Sequence, residues 1–210
     1  MVRVYIDLET YRPHKEDAFI DERIILGGLL IDETPYSENS LTKTIEPILL
    51  KEWGGLDERM IITRLQSYIK EALSSHRFTV ICGFNILRFD IPLLLCKSTK
   101  YSLGKLEALS KMWNDCFSID YFQQLLTANG NLFKGLRLEN VVRVADSFNL
   151  KPPPCDVGGK AVKDLYDQHK WREIEKHNEQ DLNVIRWLDL YGAKQLIEIS
   201  TRQKKPLFYE

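Results

Sequence analysis

The pattern of apolar residues first changes period about a quarter of the way along the chain, and that change constrains the fold more than any other feature. Residues 2–8 (Val-Arg-Val-Tyr-Ile-Asp-Leu) alternate and are β-rich, which predicts a strand. Residues 24–31 are almost wholly apolar and predict a strand buried on both faces. A third strand is expected over 41–48, after turn signals at Pro35, Ser37, Asn39 and Ser40. From Leu56 to Leu73 the spacing becomes helical, through Ile61, Leu65, Tyr68, Ile69 and Ala72. Short strands are expected at 78–82 and 116–119. Helices are expected at 91–97, 104–113, 121–127, 138–148, 160–169 and 171–191, with Pro152-Pro153-Pro154 and Gly158-Gly159 marking a loop. Three closely linked strands predict an antiparallel meander, and the later strand–helix–strand units predict parallel pairing beside it. The expected class is therefore α/β, a five-stranded mixed sheet flanked by helices, with residues 1–210 forming a single domain.

Acidic residues interrupt these apolar segments in three places. Asp7 and Glu9 lie two apart on the first strand, so both carboxylates project from one face while Ile6 and Leu8 project from the other. Two like charges that close repel unless a cation lies between them or one is protonated. Asp90 follows the strand at 78–82 and begins the helix containing Pro92. An N-cap role would also explain it, as a turn would explain Asn85. Ile174, His177, Asp181, Ile185 and Leu188 recur at spacings of 3, 4, 4 and 3, placing His177 and Asp181 on an otherwise apolar helix face. An aspartate there needs a partner. Taken together, Asp7, Glu9, Asp90 and Asp181 are a hard-oxygen set suited to Mg²⁺ or Mn²⁺.

Other classes are disfavoured. Lys and Arg (29) nearly balance Asp and Glu (30), which argues against a passive basic coat for nucleic acid. The cysteines at 82, 96, 116 and 155 form no C-x-x-C pair, which argues against a zinc framework; Cys82 and Cys96 lie in apolar runs and are expected as reduced core residues. No signal peptide or membrane-spanning run is evident, and the expected compartment is the cytoplasm.

In this order the motifs resemble the DEDD superfamily of 3′–5′ exonucleases, which have a ribonuclease H-like fold. The resemblance is closest to the exonuclease domain of B-family DNA polymerases and its stand-alone relatives. Asp7-x-Glu9 resembles the first motif, Asn85-x-x-x-Phe89-Asp90-x-Pro92 the second and His177-x-x-x-Asp181 the third. Ser118-Ile119-Asp120 and Leu136-x-Leu138 resemble the segment between the last two. The resemblance implies a two-metal hydrolase (Mg²⁺ or Mn²⁺) that releases nucleoside 5′-monophosphates from the 3′ end of nucleic acid. Single-stranded DNA is the expected partner, with RNA as the alternative and a silent nucleic-acid-binding scaffold as a second one. Asp7, Glu9, Asp90 and Asp181 would be metal ligands, with Asp7 bridging. Asn85, Thr10 and Phe89 would meet the substrate, Arg88, Lys97 and Lys100 are candidates for phosphate contacts, and Phe84 for base stacking. The chain is too short to hold a polymerase as well, so a proofreading role would be that of a separate protein. One departure stands out: the tyrosine subclass places Tyr four residues before the last Asp, and this chain has His177 there. Tyr166 and His169 are the other candidate bases, but they lie too far upstream to match the motif.

Overall fold

The computed structural model describes residues 1–14, 21–35, 42–155 and 162–208. Its centre is a five-stranded mixed sheet. Strands β1 (Val2–Tyr11), β2 (Arg23–Asp32) and β3 (Ile48–Lys51) pair antiparallel, while β4 (Thr79–Gly83) and β5 (Phe117–Asp120) run parallel to β1, giving the order β3-β2-β1-β4-β5. This is the expected ribonuclease H-like arrangement. The expected third strand is displaced: pairing begins at Ile48, where it was expected to end. Pro47 has no N–H to give a ladder, and it stands immediately before the first paired residue. Residue 41, at the start of that expected strand, lies outside the described residues.

Helices cover both faces. On one side α1 (Glu58–Ser75), α2 (Asp90–Lys100) and α3 (Leu106–Asp115) pack on the strands. Ile6, Leu8, Ile61, Leu65, Leu94 and Trp113 belong to that core. On the other side lie α4 (Tyr121–Ala128), α5 (Leu138–Ser147), α7 (Trp171–Trp187) and α8 (Ala193–Gln203), with α6 (Val162–Asp167) against the far end of β1. Tyr5, Cys82, Val141, Leu182, Ile185 and Leu196 fill the second core. Cys82 is buried as expected, Cys96 is half-buried, and both are free thiols. The expected helix at 160–169 is described only from Val162. Among the described residues no helix is long and apolar enough to cross a membrane.

The glycine pair in β2 sets how closely the two helical layers approach. A Cβ on Gly27 would meet Leu65 of α1; one on Gly28 would overlap Asn178 of α7. The two residues face opposite sides of one strand, so each lets a helix settle against the backbone. Two buried ion pairs then fix α1 and α7. Glu58 accepts from Ile24 N–H at 2.8 Å and pairs with Lys97 at 3.2 Å. Arg186 grips Asp32 through Nε at 3.2 Å and Nη2 at 3.0 Å.

The last helix differs from its sequence expectation. Gly192 resembles a terminating glycine, and the expected helix stops at 191. Its φ is instead −64°, within the helical range, and the chain passes through one wide π turn (Leu188–Gly192) into α8. Any side chain at Gly192 would collide with the Trp187 ring. The glycine is there for close packing, not for termination. Asp189, within that turn, accepts from the Tyr5 and Tyr121 hydroxyls at 2.7 and 2.6 Å.

Candidate active site

β1, the start of α2 and the middle of α7 bring the four acids close enough to act on one another, Asp7 beneath α7 and Asp90 at the β1 backbone. Asp7 stands opposite Gly28 in the β1–β2 ladder, and the space above that glycine is occupied by the Asn178 amide. Asn178 Nδ2 donates to Asp7 Oδ2 at 2.7 Å and to the Asp7 carbonyl at 3.3 Å. A bulge between Glu9 and Thr10 breaks the register where the strand passes the site, a common way of re-aiming a side chain. Asp90 is the first residue of α2, after Phe89 as the capping position. It is no helix cap: its Oδ1 accepts from Leu8 N–H at 3.2 Å, joining α2 to β1. Asp181 accepts from the Cys155 thiol at 3.3 Å.

Burial makes these acids hold their protons. It pushes the Asp7, Glu9 and Asp90 carboxyls well above the usual carboxylate range, and mutual repulsion adds to it: Asp181 acts on Asp7, Asp7 on Glu9 and on Asp90. Asp181 is pushed up to about 7, again chiefly by burial, against the lowering effect of the Cys155 hydrogen bond. Glu9 is buried, and its Oε1 has no hydrogen-bond partner. His177 is buried between two of the acids, with Nε2 3.9 Å from Glu9 and Nδ1 3.8 Å from Asp181. Burial lowers its pKa, partly countered by the charge of Glu139. Its Nδ1 also lacks a hydrogen-bond partner.

Among the described residues, no three His, Cys, Asp or Glu side chains are already arranged around a metal ion. The reason is visible in the partners: Asp7, Asp90 and Asp181 are each turned to a donor of the protein. The donor chemistry nonetheless fits a hard divalent cation. Acids from three elements repel one another across a buried space, and Glu9 Oε1 points an unsatisfied lone pair into the protein.

The remaining expected residues divide. Asn85 adopts φ +66° and is held by Asp120, which accepts from the N–H groups of Asn85 (2.8 Å), Leu87 (3.1 Å) and Phe122 (3.0 Å); Asn85 Oδ1 is buried without a partner. The Thr10 hydroxyl donates to Glu22 at 2.8 Å, and Phe89 packs on the α1–α2 core. Lys97 is committed to Glu58 inside the core, so it is unavailable to phosphate. Tyr166 is tied to Arg23 and Glu52, and His169 stacks edge-on against Trp171. Neither approaches the four acids through any of these contacts.

The sequence reading gave no site role to Asn178 or Cys155, and gave Asp120 only a place in the segment between the last two motifs. Asn178 had a signal, because Ile174, Asn178, Leu182 and Ile185 are the fully buried line of α7. His177 and Asp181 flank that line, and the expected stripe was one residue off centre. Gly28→Ala tests the Asn178 bracket. The added methyl should displace the amide from Asp7 and cost about 1–3 kcal/mol by overpacking, read by urea denaturation. An unchanged midpoint would show that Asn178 adjusts freely.

A five-stranded mixed sheet in this order, flanked by helices on both faces, defines an α/β protein with a ribonuclease H-like fold. No protein-family model matches the chain, and no curated protein matches it in sequence. Among solved structures it is similar to the family B DNA polymerase of the hyperthermophilic archaeon Pyrobaculum calidifontis, at 14% identity and a TM-score of 0.55, over 98% of this chain and 26% of the polymerase. It is also similar to Escherichia coli exonuclease I in complex with a 5cy-dT13 oligonucleotide, at 14% identity and a TM-score of 0.46, over 94% and 42% of the two chains. The zinc-bound exonuclease I complex with single-stranded DNA aligns at 15% identity and a TM-score of 0.38, over 65% and 31%. The chain thus spans about a quarter of the polymerase's length and less than half of exonuclease I.

Proposed function

We propose that this chain is a DEDD-type 3′–5′ exonuclease, with residues 1–210 as one catalytic domain acting on single-stranded DNA. The observation that carries the reading is the convergence of Asp7, Glu9, Asp90 and Asp181, buried or half-buried acids from three separate elements whose charges act on one another at a ribonuclease H-like sheet. A structural role gives no reason to gather them, since buried carboxylates without cationic partners cost stability. The likeness to a polymerase and to an exonuclease that binds single strands agrees with this reading.

Asp7, Glu9, Asp90 and Asp181 would hold two Mg²⁺ or Mn²⁺ ions. Such a pair, when bound, clamps the attacking and leaving oxygens of a phosphodiester displacement. The chain's own groups do the rest. Asn178 fixes the Asp7 rotamer, and Asp120 fixes the turn that carries Asn85. His177 is neutral at neutral pH because burial lowers its pKa. Its unpartnered Nδ1 accepts the proton of the attacking water, a task suited to an imidazole near pH 7.

His177→Tyr should therefore keep part of the activity with a shifted pH–rate profile. His177→Ala should lose roughly 10²–10⁴-fold, the usual range for a general base. An unchanged profile in the tyrosine variant would show that His177 does not titrate in the rate-limiting step. The whole reading is tested with 5′-labelled DNA and RNA, single- and double-stranded, in Mg²⁺, Mn²⁺ or EDTA. Expected is a ladder shortening from the 3′ end of single-stranded DNA that disappears in EDTA. Cleavage of RNA alone would move the substrate, and no metal-dependent cleavage of any strand would favour a silent scaffold.

A further inference from the structure

Beside the acid site lies a surface that packing does not account for. Phe133 is 58% exposed, Leu87 48% and Leu132 39%. The Phe133 ring stacks on the buried Phe122, with centroids 5.8 Å apart and planes at 25°, and Phe122 meets Phe84 edge-on at 5.6 Å. The Arg88 guanidinium lies 4.8 Å from the Phe133 centroid and 5.7 Å from that of Phe122. A mostly exposed aromatic ring and an exposed cation are thus presented together to solvent.

The surface is held in place and tied to the acids. Asn129 is fully buried, and its Nδ2 clamps the loop by donating to the carbonyls of Leu132 and, at 3.0 Å, Lys134. Arg88 stands two residues before Asp90. From Phe133 the chain runs through exposed Arg137 into α5, where Glu139 lies close enough to act on His177 and Asp181.

We propose that Phe133, Leu87 and Arg88 form a stacking platform for an unpaired base of a single strand whose 3′ end lies among the four acids. This rests on the exonuclease reading above. An aromatic face accepts any base, because every base has a π face, and a guanidinium beside it adds both cation–π attraction and a phosphate contact. The four acids offer a polynucleotide no cation of their own, so the exposed Arg88 charge supplies complementarity where the acids do not. Bases within a duplex have no free face to offer, so the platform selects single strands.

The test is the affinity of a fluorescent oligothymidylate with phosphorothioate linkages at its 3′ end, measured by anisotropy in Mg²⁺. Phe133→Ala should weaken binding by roughly 5–100-fold, the range for losing one base-stacking aromatic, while Phe133→Tyr retains it. Arg88→Ala should lower the slope of log affinity against log salt by about 0.7, as for one phosphate contact on a single strand. A blunt duplex should show no loss in either variant. Phe133 is mostly exposed, and unchanged thermal unfolding of the variants excludes loss of fold. If Phe133→Ala binds like the wild type, or the wild type binds no single strand, the platform is wrong. Failure of the hydrolysis reading would look different: binding lost in Phe133→Ala, but no shortening of an unprotected strand by the wild type.

Discussion

Replacing Asp7 by alanine is expected to cut metal-dependent shortening of a single strand by at least roughly 10³-fold, beyond the 10²–10³ that removal of one oxyanion-hole donor typically costs. Asp7 is the most connected acid of the site: its charge bears on both Glu9 and Asp90, and Asp181 bears on it. On the exonuclease reading it would be a ligand of the metal pair, so its loss would weaken the hold on both ions. The same substitution should leave folding intact. Burial already keeps the Asp7 carboxyl protonated well above its usual range, so the wild type carries a strained group that alanine removes. Activity lost with thermal stability unchanged or raised would mark Asp7 as functional. Activity retained within tenfold of the wild type would dismiss it as a ligand.

The second expectation concerns stability without metal. Between about pH 4, where unfolded carboxyls titrate, and about pH 7, where Asp181 titrates in the fold, the native state holds more protons than the unfolded one. Stability therefore falls as pH rises through that window, and the loss extends higher for Asp7, Glu9 and Asp90, which burial and mutual repulsion also raise. His177 acts in the opposite sense. Its lowered pKa makes stability rise as pH climbs from that lowered value to about 6.5, but it is one group against four. At about 1.4 kcal/mol per pKa unit, Asp181 alone contributes a few kcal/mol. Thermal unfolding in EDTA should thus show a midpoint decreasing from pH 5 to pH 8, and Mg²⁺ or Mn²⁺ should raise it more at pH 8 than at pH 5. A midpoint that rises over that range, with no effect of either cation, would mean that the acids ionise freely without a partner.

How much of this was legible in the residues follows from what each signal measures. Helical spacing in 56–73 reports burial on one face, while the alternation in 2–8 marked a strand whose burial on both faces came from helices covering both sides of the sheet; both elements formed where expected. The i, i+2 relation of Asp7 and Glu9 held, with Ile6 and Leu8 packed on the opposite side. The third strand slipped because the apolar residues at 41–48 are sparse and Pro47 interrupts them. α8 was missed because Gly192 carries two possible meanings, a helix end or a close contact, and only the Trp187 ring above it decides. Asn178 needed the third dimension as well: its amide reaches Asp7 only across the bare backbone of Gly28, 150 residues away in sequence. Phe133 resembles any loop aromatic until Arg88, from another segment, is seen beside its ring.

Calorimetric titration of Mn²⁺ into the protein at neutral pH, in two buffers of different ionisation enthalpy, tests most directly whether the four acids are a cation site. Saturable binding accompanied by proton release is expected, because Asp7, Glu9, Asp90 and Asp181 must give up protons to coordinate, and both binding and release should be severely reduced in Asp7→Ala. The absence of saturable binding, or binding equal in wild type and Asp7→Ala, would contradict it.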